Sequence, residues 1–256
     1  MSSGDILSLT PPPADKRIAY GTDENQFGDL RLPKTRGPHP VVVNIHSGFW
    51  RNKYSLEHAG HLCAALTARS VATWNLEYRR AGDAGGGWPG TFEDVRSGFR
   101  FVQQLSKEHG LDARRVVVIG HSAGGQLAVC LAARESSLRG VVSLAGVLNL
   151  RRTWELHLSN DAVVEFLGGT PASVADHYRE ADPMQVAIAG VPQRIVQGKD
   201  DDVVPPAFAR EYVAAKKARQ ENVELIELEK CGHFEVIDPR SRAWAEVERA
   251  VVALLS

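Results

Sequence analysis

Short apolar runs alternate along this chain with stretches whose apolar residues recur every three or four positions. Residues 41–46, 71–76, 116–119, 141–144, 193–196 and 223–228 are the runs, most of them β-branched, and 30–32 reads as a short early strand. Runs of this kind mark strands buried on both faces. Between them, residues 59–70 space Leu62, Ala65 and Leu66 as a helix does. Residues 91–108 repeat Phe92, Val95, Phe99, Val102 and Leu105 on one helical face, with Thr91 and Asp94 as a capping-box variant at the start. Residues 126–133, 207–217 and 241–254 read as further helices. Strands alternating with helices predict an α/β fold, a mostly parallel central sheet with helices on both faces. Residues 149–183 break the rhythm. They are too long for a simple connection and predict a small cap insertion over the strand ends. Residues 1–15, polar and then proline-rich, predict a flexible lead-in to a single domain over 16–256.

Composition narrows the function classes. Of 256 residues, 24% are charged and 43% hydrophobic, and the net charge is −1, ordinary values for a globular protein. No basic patch points to nucleic acid, and no run of about 18 apolar residues points to a membrane span. The N-terminus has no basic segment followed by an apolar core, as a signal peptide has. Three cysteines, an odd number, give no disulfide framework. A cytoplasmic monomer or homodimer is the expectation.

Candidate chemistry centres on Gly120-His121-Ser122-Ala123-Gly124. The pentapeptide reads G-x-S-x-G and sits between an apolar run and a helical stretch, the strand-turn-helix setting of a nucleophile elbow. Its glycines suit a turn in which a Cβ would collide with neighbouring backbone. The serine is left at a helix N-terminus, where free N–H groups favour developing negative charge. Its hydroxyl needs a base. His121 is expected to turn its ring away from the nucleophile. His233, just after the last run, falls at the carboxyl edge of the sheet and follows the chain order serine, acid, histidine. The acid is expected after the 193–196 run, where Asp200, Asp201 and Asp202 are adjacent and equally placed. Oxyanion donors are expected from the Ala123 N–H and from Gly48 and Phe49, in the loop after 41–45.

These motifs together resemble the α/β-hydrolase fold, and within it the esterase and lipase branch that includes kynurenine formamidases. His46-Ser47-Gly48-Phe49-Trp50 resembles that group's H-G-G-x-W oxyanion motif, with Ser47 at its first glycine. Residues 120–124 match its G-H-S-A-G elbow, and Gly232-His233-Phe234 its G-H-F histidine loop. Asn75 to Arg79 resembles its N-x-E-Y-R segment, and Gly86 to Pro89 a G-G-W-P turn. Residues 198–205 match G-x-x-D-x-x-V-P, and that register selects Asp201 as the acid. The resemblance implies a Ser122–His233–Asp201 triad acting on a small ester or an N-formyl or aryl amide, with no cofactor and no metal.

Ser47, Trp50, His121 and Trp154 are expected to meet the substrate, Trp154 from the insertion. Arg51, Tyr78 and Arg79 are expected to pair structurally, one of them with a buried Glu77. His58 and His61 lack any accompanying HExxH or zinc-spaced set and read as surface histidines. Two rivals are a small-peptide exopeptidase of prolyl-oligopeptidase type and a non-catalytic ligand-binding relative. No N-terminal propeller supports the first, and an intact triad argues against the second.

Overall fold

The apolar runs assemble side by side. In the computed structural model, which describes residues 4–256, eight strands form a sheet ordered β1-β2-β4-β3-β5-β6-β7-β8. They are β1 (Lys16–Ala19), β2 (Phe27–Arg31), β3 (His39–Ile45), β4 (Ala72–Leu76), β5 (Leu111–His121), β6 (Gly140–Leu144), β7 (Gln193–Gly198) and β8 (Val223–Leu228). β2 runs antiparallel to both its neighbours, and the remaining pairs are parallel.

Alternate residues of each run feed two cores. Val41, Val43, Ile45, Val116 and Val118 face one side. Val42, Val117, Ile119, Val142 and Leu144 face the other. The first side is covered by α2 (Gly90–Arg100), α3 (Val102–His109), α4 (Ala123–Ala132) and α8 (Pro206–Ala218), the second by α1 (Gly60–Thr67) and α9 (Trp244–Leu255). The expected helix over 91–108 is divided at Phe101, where the Gln104 N–H turns to the Phe101 carbonyl in an i→i+3 bond. The expected capping box is absent. The helix starts at Gly90, Thr91 Oγ1 donates to the Arg79 carbonyl, and Asp94 is taken by the Arg79 guanidinium.

Two departures bear on the site. Residues 149–183 contain α5 (Leu150–Glu155), α6 (Ala162–Leu167) and α7 (Ala175–Ala181). The lead-in, expected to be flexible, is seated on the domain from Asp5 onward, with Met1–Ser3 outside the described residues. Ile6, 1% exposed, packs with Val42, Leu62 and Ile237, because burying it removes an isoleucine from water. The chain leaves β3 for β4 on one side and takes up β5 on the other. That reversal opens a crevice at the carboxyl ends of β3 and β5.

Candidate active site

Ser122 stands in this crevice between β5 and α4. Its backbone is held at φ 55° and ψ −118°, a region that side chains rarely occupy. The turn is tight because its glycines have no room for a side chain. A Cβ on Gly120 would lie 2.1 Å from the Gly124 carbonyl oxygen, and one on Gly124 would lie 2.1 Å from that of Ile45. The Ala123 N–H is the first of α4, one of the four that a helix leaves without an intrahelical acceptor.

The three adjacent aspartates differ in surroundings. Asp200 and Asp202 are exposed, whereas Asp201 is 7% exposed. Asp201 Oδ1 accepts the N–H groups of Val203 and Val204 at 2.9 and 2.8 Å. Its Oδ2 accepts Gln197 Nε2 at 2.9 Å and His233 Nδ1 at 2.8 Å. A carboxylate with four donors is held in one orientation. With Nδ1 donating, the neutral form of His233 carries its lone pair at Nε2, the form a base requires. Gly198 lets the end of β7 approach this loop, since a Cβ there would lie 2.2 Å from the Cys231 carbonyl oxygen. His121 braces the same loop from below. Its ring is buried and its Nε2 donates to the His233 carbonyl at 2.9 Å. Burial, with His233 adding to it, lowers the His121 pKa well below the ordinary value, so the ring is neutral. The expectation that it meets the substrate is corrected: it supports His233.

The loop after β3 is set by a buried charge network. Gly48, Phe49 and Trp50 follow one another at φ 123°, 49° and 57°. Two non-glycine residues in succession at positive φ need external support. Part of it comes from His46. Its Nδ1 lies 2.7 Å from the Ser47 carbonyl and its Nε2 2.8 Å from Glu77 Oε1. Burial alone raises the Glu77 pKa, but His46, Arg80 and the Leu56 N–H together hold it below the ordinary value. Glu77 therefore accepts, and His46 donates from both nitrogens. The bond to the Ser47 carbonyl turns the Gly48 N–H on the same trans peptide the opposite way. Tyr78 Oη donates to the His46 carbonyl at 2.8 Å. Glu77 is thus buried as expected, but its ionic partners are His46 and Arg80. Arg51 instead pairs with Glu165, and Arg79 with Asp94.

Removing the Glu77 charge should strand the buried Arg80 guanidinium and take from His46 the carboxylate it bonds. Glu77→Gln is expected to lower stability by about 3–5 kcal/mol at neutral pH. A carboxyl whose folded pKa lies below its unfolded value stabilises fully above that value, 4.5, and loses the contribution as pH falls through the folded one. Urea unfolding at several pH values checks this: the gap between wild type and variant should narrow below pH 4.5.

Ser47 and His58 form the contact least visible in the sequence. The Ser47 N–H reaches His58 Nε2 at 3.3 Å, and Ser47 Oγ lies 2.8 Å from the same nitrogen. Nε2 is therefore an acceptor, and the Ser47 hydroxyl donates to it. That hydroxyl proton is spent on His58 and is not offered to an oxyanion. Burial, with His46 adding to it, pushes the His58 pKa down to about 3. The expectation of a surface histidine is corrected, since the imidazole is drawn in by Ser47 and lines the site.

A cavity of about 190 Å³ gathers these groups. Ser122, His233, Ser47, Gly48, Phe49 and His58 line it, with Leu7, Tyr54, Ser159, Val203 and Phe234 completing the wall. Besides His121, two further expected substrate contacts are not among them. Trp50 is buried, donates from Nε1 to Gln126 Oε1 at 2.9 Å and stacks on Phe166 at 4.6 Å between centroids. Trp154 packs part-buried against the core, and Ser159 is the insertion's residue at the cavity. Leu7, from the lead-in, has no local sequence signal for this role. Among the described residues no His, Cys, Asp and Glu group suited to a metal occurs, and no helix is long and apolar enough to cross a membrane.

The BD-FAE family model matches residues 29–215. A probable isoprenylcysteine alpha-carbonyl methylesterase of Arabidopsis thaliana is 32% identical over 120 residues, 46% of this chain and 25% of that protein. The versiconal hemiacetal acetate esterase of Dothistroma septosporum is 30% identical over 159 residues, 56% of this chain and 47% of that protein. The chain thus spans between a quarter and about half of these curated relatives. The solved structure of esterase B from Lactobacillus Rhamnosis superposes with a TM-score of 0.82 at 17% identity, covering 99% of this chain and 90% of that one. At that identity the likeness concerns the fold, which is that of the α/β-hydrolases.

Proposed function

The chain belongs to the BD-FAE family, and from that premise we propose that it is a serine esterase cleaving a small carboxylic ester through an acyl-enzyme. Ser122 attacks the carbonyl carbon. His233 takes the hydroxyl proton and passes it to the leaving alcohol, and Asp201 holds the imidazole and stabilises its charged form. The N–H groups of Ala123, Gly48 and Phe49 receive the oxyanion, usually the largest electrostatic contribution. Water then attacks the acyl-enzyme with His233 as base. The observation that carries this reading is the 2.8 Å Asp201–His233 bond beside a strained Ser122, His233 and Ser122 lining one cavity. Ester is favoured over N-formyl or aryl amide because the relatives are named for methyl and acetate esters. The cavity's size suits a short acyl group, and residues 149–183 act as the cap, contributing Ser159.

A fluorophosphonate is the direct test. It should label Ser122 alone, and p-nitrophenyl acetate should be hydrolysed faster than N-formylkynurenine or an aminoacyl anilide. Absence of labelling, or a preference for either amide, overturns the reading.

A further inference from the structure

Gln197 lies at the end of β7, wholly buried, directly after the buried apolar pair Ile195 and Val196. Its Oε1 is closed off from solvent, and no described residue donates to it. A buried amide oxygen without a donor is costly, and an apolar side chain of the same length avoids that cost. Packing therefore does not account for a glutamine here, whereas its N–H groups do. Nε2 donates to the Gly198 carbonyl at 3.2 Å and to Asp201 Oδ2 at 2.9 Å. Reversing the amide would set Oε1 against the Asp201 carboxylate, so charge fixes this orientation. Oδ2 is also the oxygen that accepts His233 Nδ1 at 2.8 Å, while the Val203 and Val204 N–H groups go to Oδ1. Gln197 and His233 thus share one carboxylate oxygen.

We infer that Gln197 is a positioning residue acting through Asp201: by sharing Oδ2 with His233 it tempers the carboxylate's hold on the imidazolium and extends catalysis to lower pH. The inference rests on the esterase reading above, in which His233 acts as base only after losing its second proton. A donor on Oδ2 draws on the same charge that stabilises the imidazolium. Without that donor the imidazolium is held more firmly and releases its proton at higher pH. Gln197 is not among the residues lining the cavity, so it does not act by touching substrate. The other ionisable groups around the pair are already placed. His121, from β5, packs 4.6 Å from the His233 ring between centroids and is neutral. In the loop that carries His233, Glu235 accepts the Gly232 N–H, and burial pushes the Cys231 thiol up to about 12. Asp200 and Asp202 are exposed, and the neutral His58 stands at the cavity wall. A change at Gln197 leaves the charge of each as it is.

The pH dependence of kcat/KM for p-nitrophenyl acetate tests it, because the acid limb reports the essential base of the free enzyme. Gln197→Met and Gln197→Leu remove the donor and keep an apolar filling. In both, the limb should move to higher pH by about half a unit or more, about a threefold loss of kcat/KM at the acid end, with KM unchanged. A glutamine with a structural role alone would lower stability when replaced and leave the limb in place. A smaller movement, or one to lower pH, overturns the inference. NMR on the wild type needs neither turnover nor a folded variant. With the glutamine side chains isotope-labelled, the Gln197 amide signal should shift along the same pH curve as the His233 ring signals, since both donors meet on Oδ2. An amide that stays still while His233 titrates overturns the inference. An amide that follows His233 in a protein that hydrolyses no ester sustains the sharing and overturns the esterase reading.

Discussion

Ser122→Ala should lower kcat by about 10³-fold or more while leaving the fold intact, the residue of activity coming from the oxyanion donors and binding. Alanine keeps the Cβ, so it inherits the strained φ of 55° and changes stability little. Ser122→Gly makes the complementary statement. It should be equally inactive, yet more stable than Ser122→Ala by about 1 kcal/mol, because glycine occupies positive φ without steric cost. Steady-state kinetics and urea unfolding on the three proteins separate the two effects. Activity surviving in Ser122→Ala removes the serine from the mechanism.

Asp201→Asn should cost about 10⁴-fold in kcat, and Asp200→Asn and Asp202→Asn much less. The hydrogen bonds say why. The N–H groups of Val203 and Val204 both need the oxygen at Oδ1, so the new amide places its carbonyl there. Its NH₂ group then faces Gln197 and His233, where an acceptor stood. Gln197 can adapt by flipping, at the loss of the bond its Nε2 donates to the Gly198 carbonyl. His233 can adapt only by accepting at Nδ1, which moves its proton to Nε2. That tautomer cannot take a proton from Ser122. Parallel kinetics on the three asparagine variants check the assignment, and equal small losses would place the acid elsewhere.

The inner parallel strands and the elbow are legible in the sequence because they rest on short-range signals: β-branched runs, and glycines that cannot carry a Cβ. β1 is not, for Lys16–Ala19 is an edge strand that is largely exposed and lacks an apolar run. Its place comes from pairing with β2. The residues of the proposed triad are readable because each follows a strand end with turn chemistry of its own. The rest of the site is made by contacts that local pattern does not carry. His58 meets Ser47 across eleven residues, and Leu7 reaches the cavity because Ile6 is buried beside it. Trp154 illustrates the converse. A large aromatic in an insertion suggests a pocket, but the residue is drawn into the core, and a serine five positions later takes the place at the cavity.

Trp50 and Arg51 give the insertion a second allegiance. Trp50 stacks on Phe166 while bonding Gln126 of α4, and Arg51 reaches Glu165, Ser159 and the Asn160 carbonyl. The segment beside the cavity is therefore fastened to the very loop that supplies Gly48 and Phe49. In evolutionary terms the insertion is not a detachable module. Any exchange of it for a segment of new specificity has to reproduce the partners of Trp50 and Arg51, or the change in substrate arrives together with a slackened catalytic loop. Under the proposed esterase reading, selection on which ester is accepted and on how fast it is cleaved acts on the same few side chains.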